Sequence, residues 1–260
     1  MPIELNAIAV IPARYASTRF PGKPLASING KPLIQHVWER VSMSKSLKRI
    51  IVATDDERIF KAVREFGGEG WMTSSNHATG TDRISEVAKN IEADIIVNVQ
   101  GDEPLIEPKV IDMAVEPFRG TQTEFGSSKL QMGTICAEIK NKDELNNPNI
   151  VKVVTDYDGF ALYFSRSTIP YNRDNDSRTS YYKHIGLYVY RKDFLIKFSQ
   201  LPSTPLEKIE KLEQLRALEH GYKIKVIKTK YNSIGVDAPE DIEKVRKIIN
   251  SKSQTLNNIK

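Results

Sequence analysis

Apolar positions along the chain alternate between two periods. The apolar run Ile8-Ala9-Val10-Ile11 reads as a first strand. Leu33, Ile34, Val37, Trp38 and Val41 then recur at helical spacing behind Pro32, a good early-helix residue. Arg49 to Ala53 predicts a second strand ending at Thr54-Asp55-Asp56, and Ile59, Phe60, Val63 and Phe66 predict a helix stopped by Gly67-Gly68. A short strand around Gly70 to Met72 follows, then a helix carrying Ile84, Val87, Ala88 and Ile91, then the β-branched run Asp94 to Val99. This order predicts an α/β fold built on a doubly wound, mainly parallel sheet.

The rhythm changes between about 125 and 191. Leu130 to Ile139, Ile150 to Thr155, Phe160 to Phe164 and Ile185 to Tyr190 read as strands with few helices between them. Such a strand-rich insertion suits acceptor contacts and dimerisation. Leu206 to Leu218 then predicts one helix, Lys223 to Ile227 a strand, and Ala238 to Ile249 a last helix. The organisation expected is a single α/β domain over 1–250 and a polar, frayed tail over 251–260.

Composition narrows this picture. At 260 residues and 40% hydrophobic, the chain can bury the core of one large domain. Cys136 is the single cysteine, so there is no internal disulfide and no cysteine cluster for zinc. It reads as a buried small hydrophobe. The net charge is +5 and the pI about 9.1. The cations are dispersed among 33 acids, which argues against a nucleic-acid surface and suits small anionic substrates. No secretory signal opens the chain and no apolar run reaches transmembrane length, so no membrane partner and a cytoplasmic location are expected.

Candidate chemistry begins just after the first strand. Residues Pro12 to Leu25 form a loop of small residues, two prolines beyond Pro12 and one glycine, carrying Arg14, Arg19 and Lys23. Backbone N–H groups and cations of such a loop can converge on a polyphosphate, and these cations are expected to be exposed. It is not a P-loop: Ser17 stands where the first glycine belongs, and Pro24 follows Lys23. Nor does GxGxxG follow the strand, which excludes a dinucleotide cofactor of that type. In open α/β sheets ligands bind beyond the carboxyl ends of strands, where Asp102 (Gln100-Gly101-Asp102-Glu103-Pro104) and Asp237 (Gly235-Val236-Asp237) both fall. Two such carboxylates can share Mg²⁺, completed by water and phosphate oxygens. Asp102 could instead open a turn, and Asp237 could be the N-cap of the last helix with Glu240 three residues on. Gly101 permits a tight turn and a close approach by ligand.

Other positions carry weaker signals. Thr73 to Arg83 is a polar loop entering a helix, suited to a base or sugar but equally to a cap. Arg83 sits in a first helical turn, where a cation calls for a nearby anion. On a wheel for 205–220, Glu213 points among Leu206, Ile209 and Ala217, with Glu210 close by. A carboxylate there is either bound to something or at a solvated edge. Arg166 and His184 stand on strand-like segments, and a lone histidine is commonly structural.

Taken together, Ile11-Pro12-Ala13-Arg14 to Lys23-Pro24, Val52-Ala53-Thr54-Asp55, Gly80-Thr81-Asp82-Arg83, Asn98 to Pro104, Leu162 to Arg166, His184-Ile185-Gly186, Leu212 to Arg216 and Gly235-Val236-Asp237 resemble the Kdo (3-deoxy-manno-octulosonate) cytidylyltransferase family, over about residues 7 to 248. The resemblance implies a nucleotide-diphospho-sugar transferase-like fold and transfer of CMP from CTP to Kdo, releasing pyrophosphate, for lipopolysaccharide synthesis. It implies that Arg14 and Lys23 hold the phosphates of CTP, that Ala13, Thr73, His77, Thr79, Gly80 and Arg83 line the nucleotide site, and that Asp102 and Asp237 bind Mg²⁺. It implies that Gln100, Arg166, His184, Glu213 and Gln214 face the acidic sugar, and that the enzyme is a cytoplasmic homodimer. Ala238 departs from the Thr common in the family, and residues 119 to 130 match weakly. Related enzymes act on 8-amino-Kdo with overlapping motifs, and that sugar is the alternative acceptor. A nucleotide-sugar glycosyltransferase would carry Asp-x-Asp where this chain has Gly101-Asp102-Glu103, and a non-catalytic nucleotide sensor would not need two metal carboxylates.

Overall fold

The computed structural model describes residues 5–16, 19–120, 130–232 and 234–257, with side chains up to residue 251. Ser17 and Thr18 of the first loop, and residues 125–129 at the start of the strand-rich segment, lie outside the described residues.

The first half follows the predicted alternation: β1 (Ala7–Ala13), a hairpin of β2 (Ser27–Ile28) and β3 (Lys31–Pro32), α1 (Leu33–Val41), β4 (Arg49–Thr54), α2 (Glu57–Glu65), β5 (Glu69–Met72), α3 (Gly80–Lys89), β6 (Ile95–Asn98) and α4 (Pro108–Val115). The second half adds β7 (Met132–Glu138), α5 (Lys142–Asn146), β8 (Lys152–Thr155), β9 (Ala161–Ser165), β10 (Tyr182–Arg191), α6 (Lys192–Phe198), α7 (Pro205–Glu210), α8 (Gln214–Glu219), β11 (Ile224–Thr229) and α9 (Pro239–Asn257).

The main sheet runs β11-β7-β10-β6-β1-β4-β5, with β8 joining β10 and β9. β1 is parallel to both β4 and β6, whereas β10 is antiparallel to both β6 and β7. Neighbouring residues of β1 feed opposite sides. Ala9 and Ile11 join the apolar layer of α1, α2, α4 and α9, while Ile8 and Val10 join that of α3, α6 and α8. Burial on both faces explains why β1 and β6 read as unbroken apolar runs.

Two expectations are corrected. The helix predicted over 206–218 is two helices, because Lys211 adopts φ 54° and ends α7. The last helix continues through Asn257, so most of the expected tail is helical; residues 258–260 lie outside the described residues. Cys136 is buried and free, as expected, and burial pushes its thiol up to about 12.

Candidate active site

Topology gathers the site at one edge of the sheet. The parallel strands β1, β4 and β6 release their following loops there. Tyr188 of antiparallel β10 stands opposite Asn98, so the residues before it, Gly186 and His184 among them, extend past the end of β6. β11 runs parallel to β7, which brings the segment ending in Asp237 to the same edge.

Lys23 is the hub of the first cluster. Gly22, at φ 72°, turns the loop in a conformation that favours glycine and opens the short 3₁₀ turn Lys23–Leu25. Lys23 Nζ donates to Asp102 Oδ2 at 2.7 Å and to the Val236 carbonyl at 2.8 Å, and lies 4.0 Å from Asp237 Oδ1. The side chain is only 15% exposed, which corrects the expectation of a solvated loop cation. Arg19 lies 3.6 Å from Asp237, with both side chains mostly in solvent. Asp237 is not the cap of α9. Asp241 Oδ2 instead accepts from the N–H groups of Asp237 and Ala238, because the helix starts one residue later than a cap at 237 requires. The Asp237 carboxylate is thereby left to the cluster.

Gly101 allows a close approach of the Pro12 backbone. A Cβ there would stand 2.8 Å from the Pro12 carbonyl, so the turn after β6 packs directly on the end of β1. That contact sets Asp102 beside Lys23.

The 73–83 loop joins the same edge. Arg14 donates to the carbonyls of His77 (2.9 Å) and Ala78 (3.3 Å), tying the two loops together. Ala13, at the end of β1, pairs with Thr54. His77 bonds Glu86, and Thr79 caps α3 in a capping box with Asp82. Gly80 begins that helix against Pro12. Arg83 is wholly buried. The anion its position called for is Asp55, 2.9 Å away, and it also bonds the Thr73 hydroxyl, which donates to the Thr54 carbonyl. Arg83 therefore braces the loop from beneath.

The second cluster lies on the α3–α8 side. Gln100 Nε2 donates to the Gly186 carbonyl at 3.0 Å. Glu213 stands at the head of α8, not on the face of one long helix, and accepts from Thr81 Oγ1 at 2.5 Å. Burial pushes its carboxyl above the usual range, against the Thr81 hydrogen bond and the charge of Arg216. Its Oε1 and Gln214 Nε2 are buried without hydrogen bonds among the described residues. His184 lies between Phe164 and Tyr188, and burial pushes it down to about 3. Arg166 is committed differently: Nε donates to the Glu210 carbonyl at 2.7 Å, Nη1 to that of Pro148 at 2.9 Å, and Nη2 to that of Lys211 at 3.4 Å. These bonds buttress the end of α7.

Sequence reading missed Asp55 and Thr81 as parts of the site. The rule that pointed to Asp102, a carboxylate past a strand end, also fits Asp55 after β4. Thr81 stood only inside the Gly80-Thr81-Asp82-Arg83 motif, with no role assigned to it.

The donor set suits a hard divalent cation. Asp102 and Asp237, from two separate strand ends, both approach one ammonium, and two carboxylates leave coordination positions for water and phosphate oxygens. No group of three or more His, Cys, Asp or Glu side chains gathers as a metal site among the described residues. No helix among them is long and apolar enough to cross a membrane.

Known proteins of one family resemble this chain. The family model described as cytidylyltransferase matches residues 8–225. The 3-deoxy-manno-octulosonate cytidylyltransferase of Geobacter metallireducens is 56% identical, covering 93% of this chain and 96% of its own. That of Solibacter usitatus is 52% identical, covering 93% of each chain. The solved structure of CMP:2-keto-3-deoxy-manno-octonic acid synthetase complexed with CTP superposes with a TM-score of 0.88 at 44% identity, covering 95% of this chain and 99% of that one.

Proposed function

Because the chain belongs to the cytidylyltransferase family, we propose that it transfers CMP from CTP to the anomeric hydroxyl of 3-deoxy-D-manno-octulosonate, giving CMP-Kdo and pyrophosphate for lipopolysaccharide synthesis. The observation that carries the reading is the convergence of Lys23, Asp102 and Asp237 beside a loop crossed by Arg14, in a chain 56% identical to an enzyme of that name.

The sugar hydroxyl attacks the α-phosphorus in line, and the P–O bond to the β-phosphate breaks as pyrophosphate leaves. Charge builds on phosphate oxygens, and fixed cations in a shielded site stabilise it. Lys23 is held for that task by Asp102 and the Val236 carbonyl, so little reorganisation is needed when phosphate arrives. Arg14 holds the 73–83 loop against the first loop and closes the nucleotide side. Gln100, His184, Glu213 and Gln214 form the acceptor side, where the buried Oε1 of Glu213, 3.6 Å from Arg216, and Nε2 of Gln214 have no hydrogen bond among the described residues and offer an acceptor and a donor to sugar hydroxyls. The remaining work is positioning. Asp102 and Asp237 would hold Mg²⁺, which supplies neutralisation of phosphate charge. Arg166 supports the acceptor side through the end of α7.

Assembly as a cytoplasmic homodimer belongs to the same reading. The exposed apolar side chains Tyr157 and Leu162 at the β8–β9 hairpin are its candidate contact. A pyrophosphate-release assay pairing CTP, UTP or ATP with Kdo, 8-amino-Kdo or other acidic sugars tests the function. Release is expected with CTP and Kdo in the presence of Mg²⁺. Turnover confined to 8-amino-Kdo would change the acceptor, and turnover as fast with UTP would overturn the nucleotide assignment.

A further inference from the structure

β10 carries an irregularity beside the acceptor cluster. Ile185 pairs with Ile135 and Tyr188 with Thr134, so Gly186 and Leu187 have no partner residues on β7. Such an insertion interrupts the ladder, and its buried carbonyls need other donors. Gly186 offers its carbonyl to Gln100 Nε2. The carbonyls of Leu187 and Ile185 lie 2.8 and 3.3 Å from one hydroxyl, Thr134 Oγ1. Thr134 is wholly buried, and its oxygen has a third neighbour, His184 Nε2, at 3.0 Å.

Counting protons assigns the direction of each bond. A hydroxyl has one proton, and a carbonyl can only accept. The Thr134 proton therefore goes to a carbonyl, Leu187 being the nearer, and its lone pairs face His184. Nε2 must then carry the ring proton and donate it. Burial keeps the imidazole neutral, with its pKa pushed down to about 3, so Nδ1 has no proton and is an acceptor. Phe164, edge-on at 5.2 Å, and Tyr188, at 5.2 Å, hold the ring between them.

We infer that Thr134 is a positioning residue of the acceptor site: its hydroxyl locks His184 as the Nε2–H tautomer, so that Nδ1 accepts a hydrogen bond from a hydroxyl of the acidic sugar. This rests on the reading that His184 faces that sugar. In this role the histidine recognises the acceptor and does not remove its proton. The β10 irregularity thereby serves both Gln100, through the Gly186 carbonyl, and His184, through Thr134.

The test compares wild type, Thr134→Val, which keeps the shape and removes the hydroxyl, and Thr134→Ser, which restores it. ¹⁵N NMR of histidine-labelled protein without substrate reports the tautomer directly. Wild type and Thr134→Ser should show His184 with a protonated Nε2 and a bare Nδ1, and Thr134→Val should lose that preference. KM for Kdo should rise about tenfold in Thr134→Val with KM for CTP unchanged, and return towards wild type in Thr134→Ser. A wild-type His184 protonated on Nδ1 overturns the inference, whether or not the valine variant folds. So does an unchanged KM for Kdo in folded Thr134→Val. His184→Ala separates the two readings: if its KM for Kdo is unchanged, the acceptor-site reading of His184 fails even where the tautomer is as inferred.

Discussion

Lys23 Nζ donates to Asp102 Oδ2 at 2.7 Å across 79 positions of sequence, and to the Val236 carbonyl at 2.8 Å. One ammonium thus joins segments that follow β1, β6 and β11.

Lys23→Met keeps the aliphatic stem and removes the charge. Loss of a charge-assisted hydrogen bond of roughly 1.5–3 kcal/mol in the transition state should lower kcat/KM for CTP about ten- to a hundredfold. Stability should fall as well, by about 1–3 kcal/mol, because the partly buried Asp102 carboxylate and the Val236 carbonyl lose their donor. Arg19→Met, at an exposed pair in the same loop, should cost no more than about 1 kcal/mol and leave the rate nearly intact. Thermal melts beside kinetics well below the melting temperature separate the effects. Wild-type kcat/KM in Lys23→Met would remove Lys23 from the phosphate site.

The two aspartates near the start of α9 should part company. Asp237→Asn should lose most activity with little change in melting temperature, since its carboxylate is offered to the cluster and caps nothing. Asp241→Ala should cost about 1 kcal/mol, the usual loss for a cap, and lower the melting temperature by roughly 2–4 °C. Normal turnover by Asp237→Asn would contradict its place in the site.

Much of this was legible in the sequence where local pattern and burial agree. The apolar runs of β1 and β6 and the spacing in α1, α2 and α3 follow from burial on both faces of one sheet. Asp102 followed from its place beyond a central strand. Three features were not legible, each for its own reason. The break at Lys211 interrupts an unbroken helical spacing. The burial of Lys23 comes from a segment more than two hundred residues away. The capping of α9 passed from Asp237 to Asp241 because the start of the helix shifted by one residue, below the resolution of a pattern. Arg166 is expected at the acidic sugar by resemblance; three of its five guanidinium N–H groups go to the carbonyls of Pro148, Glu210 and Lys211.

The acceptor cluster predicts opposite pH slopes from two residues. His184 has a folded pKa of about 3, below the ordinary value of about 6.5. Between these values the unfolded chain binds the proton that the folded chain refuses, so stability is complete above about pH 6.5 and is lost as pH falls towards 3. His184→Gln should flatten that decline. Glu213 has a raised folded pKa, caused by burial, so the folded state binds more protons and stability falls as pH rises above the ordinary Glu value of about 4.3. Glu213→Gln should therefore melt higher than wild type at pH 7, with the difference vanishing below about pH 4.3, while its KM for Kdo rises. A Glu213→Gln variant less stable at pH 7 than at pH 4, relative to wild type, would contradict the sign.

Gly101→Ala tests the contact that sets Asp102. Its Cβ would meet the Pro12 carbonyl at 2.8 Å, a clash with backbone that no side-chain rotation relieves. A loss of roughly 1–3 kcal/mol is expected, together with lower kcat as Asp102 moves from Lys23. Unchanged melting temperature and kcat would mean that the turn yields freely.

In the proposed reaction one CTP and one Kdo become one CMP-Kdo and one pyrophosphate. The most direct measurement is ³¹P NMR of a reaction with purified enzyme, CTP, Kdo and Mg²⁺, with the sugar nucleotide identified by mass. A phosphodiester resonance of CMP-Kdo should grow in step with pyrophosphate, one for one, with neither product formed without Kdo. Pyrophosphate with free CMP in place of the sugar nucleotide, or no consumption of CTP when Kdo is saturating, would contradict it.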